Sequence, residues 1–368
     1  MKIGLPILFG LLLLGCNKAP KDPALDLSTA LGGQAEQGFS RAVEARVFQF
    51  PQDHAAHPGF RNEWWYITGN LADESNNRYG YQVTLFRIAL SPKPSVSNSS
   101  WATNQVWMAH VALTDVNAAR HSHEQRLARG AVGLAGQSEQ PFRVWLEDWQ
   151  IIGTEQGAFP WVIDVKAREF TLNLKLTPHK PVVLQGDKGL SQKSSEPGNA
   201  SYYYSFTRLQ TRGEIIKHGQ HIKVSGWSWL DREWSTSALG TDQVGWDWFS
   251  LQLNDQHELM FYRLRKQNGE TDPHSAGKWV MPGGESQSLV ATDVVMQPLH
   301  YWTSPTGRRY PVSWKLQIPR LQQQLVVEAL LDDQEMATGI YYWEGAVKVS
   351  NAATNDLLGY GYLEMTGY

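Results

Sequence analysis

Apolar residues in this chain alternate with polar ones along short runs and scarcely ever recur at helical spacing, and that restricts the fold to sheets. In Tyr81-Gln82-Val83-Thr84-Leu85, Tyr81, Val83 and Leu85 share one face and Gln82 and Thr84 the other, the period of a strand with one face in a core. From Glu63 onward, aromatic and β-branched runs are separated by Gly, Asn, Asp and Pro, the punctuation of an antiparallel sheet or barrel. Strands are predicted over 64–71, 79–90, 106–116, 142–152, 161–176, 202–209 and 221–229. A second series is predicted over 246–253, 258–264, 288–295, 310–318, 324–331, 339–349 and 357–366. The two series begin alike, Trp64-Trp65-Tyr66 leading to Leu85-Phe86-Arg87 and Asp247-Trp248-Phe249 leading to Phe261-Tyr262-Arg263, which suggests a weak internal duplication. Ser, Thr, Gly and Ala cluster between Trp234 and Asp242. The expectation is an all-β chain of two antiparallel β-barrel domains in tandem, 46–235 and 236–368.

The N-terminus carries one basic residue, an apolar run from Ile3 to Leu14, then Gly15 and Cys16. That run is shorter than the roughly 20 apolar residues a spanning helix needs, so 1–16 reads as a cleavable signal segment. Leu13-Leu14-Gly15-Cys16 has the form of a bacterial lipoprotein processing site, with Leu14 a less usual choice, and predicts lipidation of Cys16. The alternative is an ordinary signal with a chance cysteine. Several acyl chains on Cys16 would give a lasting membrane anchor. Asn17 and Lys18 follow, without the Asp that commonly retains such proteins at the inner membrane. The expected location is therefore the cell envelope, at the outer membrane facing the periplasm. Residues 17–45, rich in Pro, Ala, Gly and Gln, read as a flexible tether.

Cys16 is the only cysteine, so no disulfide forms within the chain and stability rests on packing. The stretch after it is long enough for two domain-sized cores, and sixteen tryptophans supply apolar area. A net charge of −3 with 19% charged residues, and no basic stripe with interleaved aromatics, argues against a nucleic-acid partner. Neither zinc-finger spacing nor a helical His-x-x-x-His pair occurs, so no metal is expected, although His54, His57 and His110 are imidazoles that strands could in principle gather. The absence of a Gly-x-Ser-x-Gly elbow speaks against a serine hydrolase.

Two segments carry chemistry. Phe50-Pro51-Gln52-Asp53-His54, with His57 and Asn62-Glu63-Trp64-Trp65-Tyr66, gathers imidazoles and carboxylates ahead of the first strand, a combination that moves protons or holds a ligand. Its competing reading has Asp53 and His54 close a turn and Glu63 satisfy a buried Arg in the barrel mouth. In Gly226-Trp227-Ser228-Trp229-Leu230-Asp231-Arg232-Glu233-Trp234, alternation sends Trp227, Trp229 and Asp231 one way and Ser228, Leu230 and Arg232 the other. A carboxyl beside indoles gains a raised pKa by desolvation and could protonate an alkene. The competing reading is an ion pair of Asp231 or Glu233 with an arginine at the domain junction. Tyr202-Tyr203-Tyr204 could supply hydroxyls or be core, and Tyr341 to Val347 with Gly359 to Glu364 reads most simply as barrel closure.

These motifs, with Gly245-Trp246-Asp247-Trp248-Phe249, resemble the carotenoid 1,2-hydratase (CrtC)/AttH-like family of lipocalin-like proteins over nearly the whole chain, from about Phe48 to Tyr368. The resemblance implies two lipocalin-like barrels side by side and no obligatory cofactor. It also implies functions ranging from water addition to carotenoid double bonds, through fungal pericyclases, to a component encoded with ABC exporters. In the hydratase branch the acting residues fall as His-x-Trp and, one strand later, Tyr-x-Asp. The matching positions here are Tyr202 with Tyr204 and Trp229 with Asp231, which keeps the carboxyl and puts a phenol where the imidazole stood. Asp53, His54, Glu63, Trp65, His110, Trp234 and Asp247 are the expected ligand-contacting residues.

Two functions follow as expectations. One is an envelope lipoprotein that binds a hydrophobic, isoprenoid or lipid-like molecule, in association with ABC transporter components. The other is a cofactor-free hydratase, lyase or isomerase with Asp231 as proton donor.

Overall fold

A computed structural model describes residues 25–26, 37–154, 159–237 and 239–368. The expected signal segment and its lipidation site Cys16 lie outside the described residues, as does most of the expected tether. Strands carry the fold, and among the described residues no α-helix occurs.

Two sheets divide the chain. The first runs, in hydrogen-bonded order, Arg120–Arg129, Gln105–Asp115, Arg78–Ala89, Asn62–Asp73, Gln220–Ser235, Ala200–Lys217, Phe170–Pro178, Trp161–Lys166, Trp149–Gly153, Phe142–Leu146 and Ala135–Glu139. The second runs Ser286–Val290, Ala276–Val280, Glu258–Lys266, Gln243–Leu253, Leu357–Met365, Ile340–Asn351, Gln323–Ala329, Arg309–Ile318 and Val295–Thr303. One sheet closes nearly into a barrel and the other into a half-barrel, a two-domain lipocalin-like architecture.

Strand alternation sorts the side chains into four buried clusters, the smallest formed by Phe86, Met108, Ala112, Met336, Ile340 and Tyr342. Trp65, Ile67, Val83, Leu85, Leu230 and Trp234 point into the first barrel, while Phe249, Leu251, Phe261 and Leu363 fill the second. The opposite faces of the same strands meet between the sheets, where Tyr66, Tyr203, Trp229, Trp248, Tyr262 and Tyr362 are buried. Both faces of Asn62–Asp73 and Gln220–Ser235 are thus covered, which is why their side chains are buried along almost the whole Asn62–Leu71 and Trp229–Ser235 stretches. Each large side chain buried in the seam contributes about 1.5–3 kcal/mol.

Polar contacts fix how the sheets dock. Asn70 Nδ2 donates to Gly361 O at 2.9 Å and Gln252 Nε2 to Thr207 O at 2.7 Å. Glu258 of the second sheet accepts Arg208 Nε at 2.6 Å and Lys180 Nζ at 2.8 Å from the first half. The sheets approach closely at Gly80, where a β-carbon would lie 2.5 Å from that of Ala346.

Several local expectations are corrected. The runs 142–152 and 161–176 are hairpins, Phe142–Leu146 with Trp149–Gly153 and Trp161–Lys166 with Phe170–Pro178. Glu147, in the left-handed region at φ 56°, makes the first turn. The polar strand Arg120–Arg129 was not expected. It is an edge strand, partly exposed along most of its length, and lacks an apolar face to betray it. Ordered structure also begins before residue 46, since Ala42 is fully buried in the first core and Thr236 Oγ1 bonds Ser40 O. Leu25–Asp26 pairs in parallel with Ile340 and Tyr341.

Candidate active site

Alternation along Gln220–Ser235 puts Trp229, Asp231 and Glu233 on the face toward the second sheet, and Leu230 and Trp234 in the first barrel. Across the seam, Gln243–Leu253 presents Trp246 and Trp248, while Ile340–Asn351 and Leu357–Met365 present Glu344 and Glu364. Between them lies a pocket of about 90 Å³, walled by Trp64, Tyr66, Phe86, Trp246, Trp248 and Tyr262. Aromatic walls with a few convergent polar groups are the lining of a site for an apolar molecule.

Asp231 accepts three hydrogen bonds in it. Its Oδ1 accepts from Ser205 Oγ at 2.5 Å and Trp229 Nε1 at 2.7 Å, and its Oδ2 from Tyr203 Oη at 2.5 Å. Trp248 Nε1 in turn donates to Tyr203 Oη at 3.2 Å. Burial raises the Asp231 pKa, the three hydrogen bonds oppose the rise, and the group is pushed up to about 7. Such a carboxyl can hold or release a proton near neutral pH.

The other three carboxyls differ in their partners. Glu233 pairs with Lys193 Nζ at 3.1 Å and accepts from Ser201 Oγ. Glu364 Oε1 accepts Trp246 Nε1 at 3.1 Å. Neither Glu344 oxygen has a well-formed hydrogen bond. Burial pushes Glu344 up to about 8, against the Tyr66 and Tyr342 hydroxyls, and raises Glu364 well above the usual carboxylate range, with Glu344 adding to it.

The sequence-predicted residues divide between the pocket and two other places. Trp229 and Asp231 meet, but Tyr202 and Tyr204 face the opposite side, into the barrel; alternation leaves Tyr203 to reach Asp231 instead. On this strand it is Tyr203 and Ser205, not Tyr202 and Tyr204, that reach Asp231. Tyr202 Oη donates to Glu44 O at 2.9 Å, and Tyr204 Oη lies 2.7 Å from His54 Nδ1.

Asp53, His54, Glu63, Trp65 and Trp234 belong to the first barrel rather than the pocket. Asp53 pairs with Arg46 Nη2 at 2.8 Å and accepts Gln49 N at 2.6 Å. His54 sits among Phe50, Phe159 and Trp161, and burial, then Arg232, depresses its pKa to about 3, leaving it uncharged. Glu63 pairs with Arg87 and, at 2.5 Å, with Arg232. Burial raises its pKa, but the two guanidiniums outweigh that and hold it below the usual range. Trp65 lies 3.8 Å under the Arg232 guanidinium, and Trp234 stacks on His57 at 3.7 Å.

Asp247 points to the far face of the second sheet, bound by Arg263 Nη2 and Tyr368 Oη, both at 2.6 Å. His110 lies at the seam, 2.7 Å from Tyr342 Oη and 2.9 Å from Gln125 Oε1, and burial lowers its pKa to about 4. The arginine pairing weighed for Asp231 and Glu233 is not found: Arg232 belongs to Glu63, Glu233 to Lys193, and among the described residues no cation pairs with Asp231. Sequence reasoning offered Tyr203 only as one of three tyrosines that could supply hydroxyls, did not single out Ser205, and read the stretches holding Glu344 and Glu364 as barrel closure.

Fold and pocket together define a two-domain lipocalin-like protein with a carboxyl-lined aromatic cavity between its domains. The chain belongs to the AttH-like family, whose model matches residues 41–368. It is 34% identical to a Nitrosomonas europaea protein assigned to AttH, over 90% of this chain and 99% of that one, with a TM-score of 0.81. Kievitone hydratase from Nectria haematococca shares the fold at 14% identity and a TM-score of 0.66, over 90% of this chain and 97% of that one. CghA bound to Sch210972 shares it at 10% identity and a TM-score of 0.52, over 91% and 97%. No curated protein matches the chain in sequence.

Proposed function

We propose that the pocket between the sheets takes up a neutral, unsaturated hydrophobic molecule, isoprenoid or lipid-like, and that the protein moves water or a proton across one of its double bonds without a cofactor. The observation that carries this reading is Asp231, fully desolvated on an aromatic wall, held by three donors and poised to titrate near neutrality. Aromatic faces around it favour a cationic carbon formed by protonation. One fold-mate is by name a hydratase; fold alone transfers no activity, so the argument rests on the pocket. Lipidation of Cys16 would place that pocket beside a membrane, where such molecules dissolve, and association with an ABC transporter would supply or remove them.

A carrier that binds the same molecule without changing it is the second reading, favoured by the predominantly apolar wall of the pocket. To separate the two, the purified protein is extracted with organic solvent, and the recovered molecule is incubated with fresh protein and weighed. A product differing by one water, absent with Asp231→Asn, supports the enzyme; tight binding with no product supports the carrier.

A further inference from the structure

We propose that Glu344 and Glu364 share a proton and serve as the acid of this pocket, leaving Asp231 on the facing wall as its base. This inference rests on reading the pocket as a proton-transfer site, and it reverses the role of donor expected for Asp231.

The two glutamates stand directly opposite each other on neighbouring antiparallel strands, Glu344 against Glu364, and both line the pocket. Like charges so placed destabilise a sheet, and here both groups are at least nine-tenths buried. An ionised carboxylate only accepts, whereas a protonated one brings its own donor. Both Glu344 oxygens are buried and no formed hydrogen bond compensates a charge on them, so burial disfavours the carboxylate, with the Tyr66 and Tyr342 hydroxyls opposing it. Asp231 has the converse setting. Its two oxygens receive three donors, one of them an indole N–H that can only donate, which suits the anion.

The groups acting on the pair come from every neighbouring strand. Tyr66 faces Glu344 from Asn62–Asp73, Tyr342 precedes it on its own strand, and Tyr362 lies on the strand of Glu364. Asp231 and Glu233 act on Glu364 from Gln220–Ser235, and both raise it further. Lys193, the cation in the pocket lining, is held by Glu233. The Tyr66 and Tyr342 hydroxyls act against the proton on Glu344 and the Trp246 N–H against that on Glu364, and burial outweighs them.

The chemistry balances for water addition. The pair's O–H bond breaks as the π electrons of the substrate form a new C–H bond, and a water oxygen closes on the cationic carbon and passes one proton to Asp231. The pair has then lost one proton and Asp231 gained one, and exchange with bulk water through the pocket mouth restores both. Dehydration runs the same steps backward. A substrate carrying an anionic head would meet buried carboxyl groups, so the class is a neutral alkene.

Carboxyl-carbon NMR on protein labelled with 13C at Glu Cδ tests the pair without any substrate. The resonance missing in Glu344→Gln should remain in its protonated position at pH 7 in the unsubstituted protein, and Glu364→Gln should weaken its proton affinity at least tenfold by removing the like charge. A Glu344 midpoint within the ordinary range near about 4.3 overturns the pair. So does an unchanged midpoint in Glu364→Gln. If Glu344→Gln fails to fold, Glu344→Asp provides the assignment by displacing the same resonance. Because no turnover enters this measurement, its failure leaves the proton-transfer reading to stand or fall on Asp231→Asn.

Discussion

Tyr203 donates its hydroxyl to Asp231 Oδ2 at 2.5 Å although register pairs Asp231 with Ser205 and Tyr203 with Glu233. The bond is thus diagonal between neighbouring strands, within reach of a long aromatic side chain, and it gives the carboxyl one of the three donors that keep its pKa near neutral. Tyr203→Phe removes that donor and leaves ring and packing in place. Hydrogen bonds to the charged form lower a pKa, so the Asp231 titration should move to higher pH. A pH–rate profile should show its limb displaced upward by about one unit and a roughly tenfold loss of rate near pH 7.

Stability should depend on pH in a direction unusual for acidic groups. Asp231 and Glu344 have folded-state pKa values raised by burial to about 7 and about 8. Between about pH 4, where the unfolded groups ionise, and pH 8, the unfolded chain therefore binds fewer protons than the folded one. Stability falls as pH rises through that window and levels off above it. Urea denaturation at several pH values should show this slope, and Asp231→Asn and Glu344→Gln should each flatten it, both variants gaining relative stability at pH 8.5.

Glu63 should behave in the opposite way. Its carboxylate lies between Arg87 and Arg232, all three essentially without solvent contact, so Glu63→Gln strands two buried guanidiniums. Removing one partner of such a network costs about 3–5 kcal/mol. The denaturation midpoint should drop accordingly, and any effect on turnover should follow the loss of folded protein.

How much of this was legible in the sequence depends on what each residue's neighbours are. The strands with one apolar face could be read from Tyr81, Val83 and Leu85, and the separation of Trp229 and Asp231 from Leu230 followed from alternation alone. Arg120–Arg129 gave no such signal, because an edge strand without a buried face carries no period. Asp231 could be chosen because its flanking indoles are local. Its real partners Tyr203 and Ser205 could not be phased, since which of three consecutive tyrosines faces the seam depends on register. Glu344 and Glu364 looked like barrel closure because the second sheet that turns them toward Asp231 is a long-range arrangement, invisible in local pattern.

The docking of the sheets can be tested at Gly80. A methyl group there would overlap Ala346, so Gly80→Ala should cost about 1–3 kcal/mol. Ala346→Gly in the same chain should recover most of it, and a double-mutant cycle in thermal unfolding should report a coupling of at least about 0.5 kcal/mol. Additive costs would mean that the seam does not close at this pair.

The central claim is that Asp231 moves a proton in the seam between the sheets, and isotopic labelling reaches it most directly. The co-purifying molecule is incubated with protein in H₂¹⁸O and followed by mass spectrometry. The account predicts ¹⁸O in the product with the unsubstituted protein, and at least a hundredfold less with Asp231→Asn at unchanged thermal stability. Label incorporated by Asp231→Asn at the full rate would contradict it.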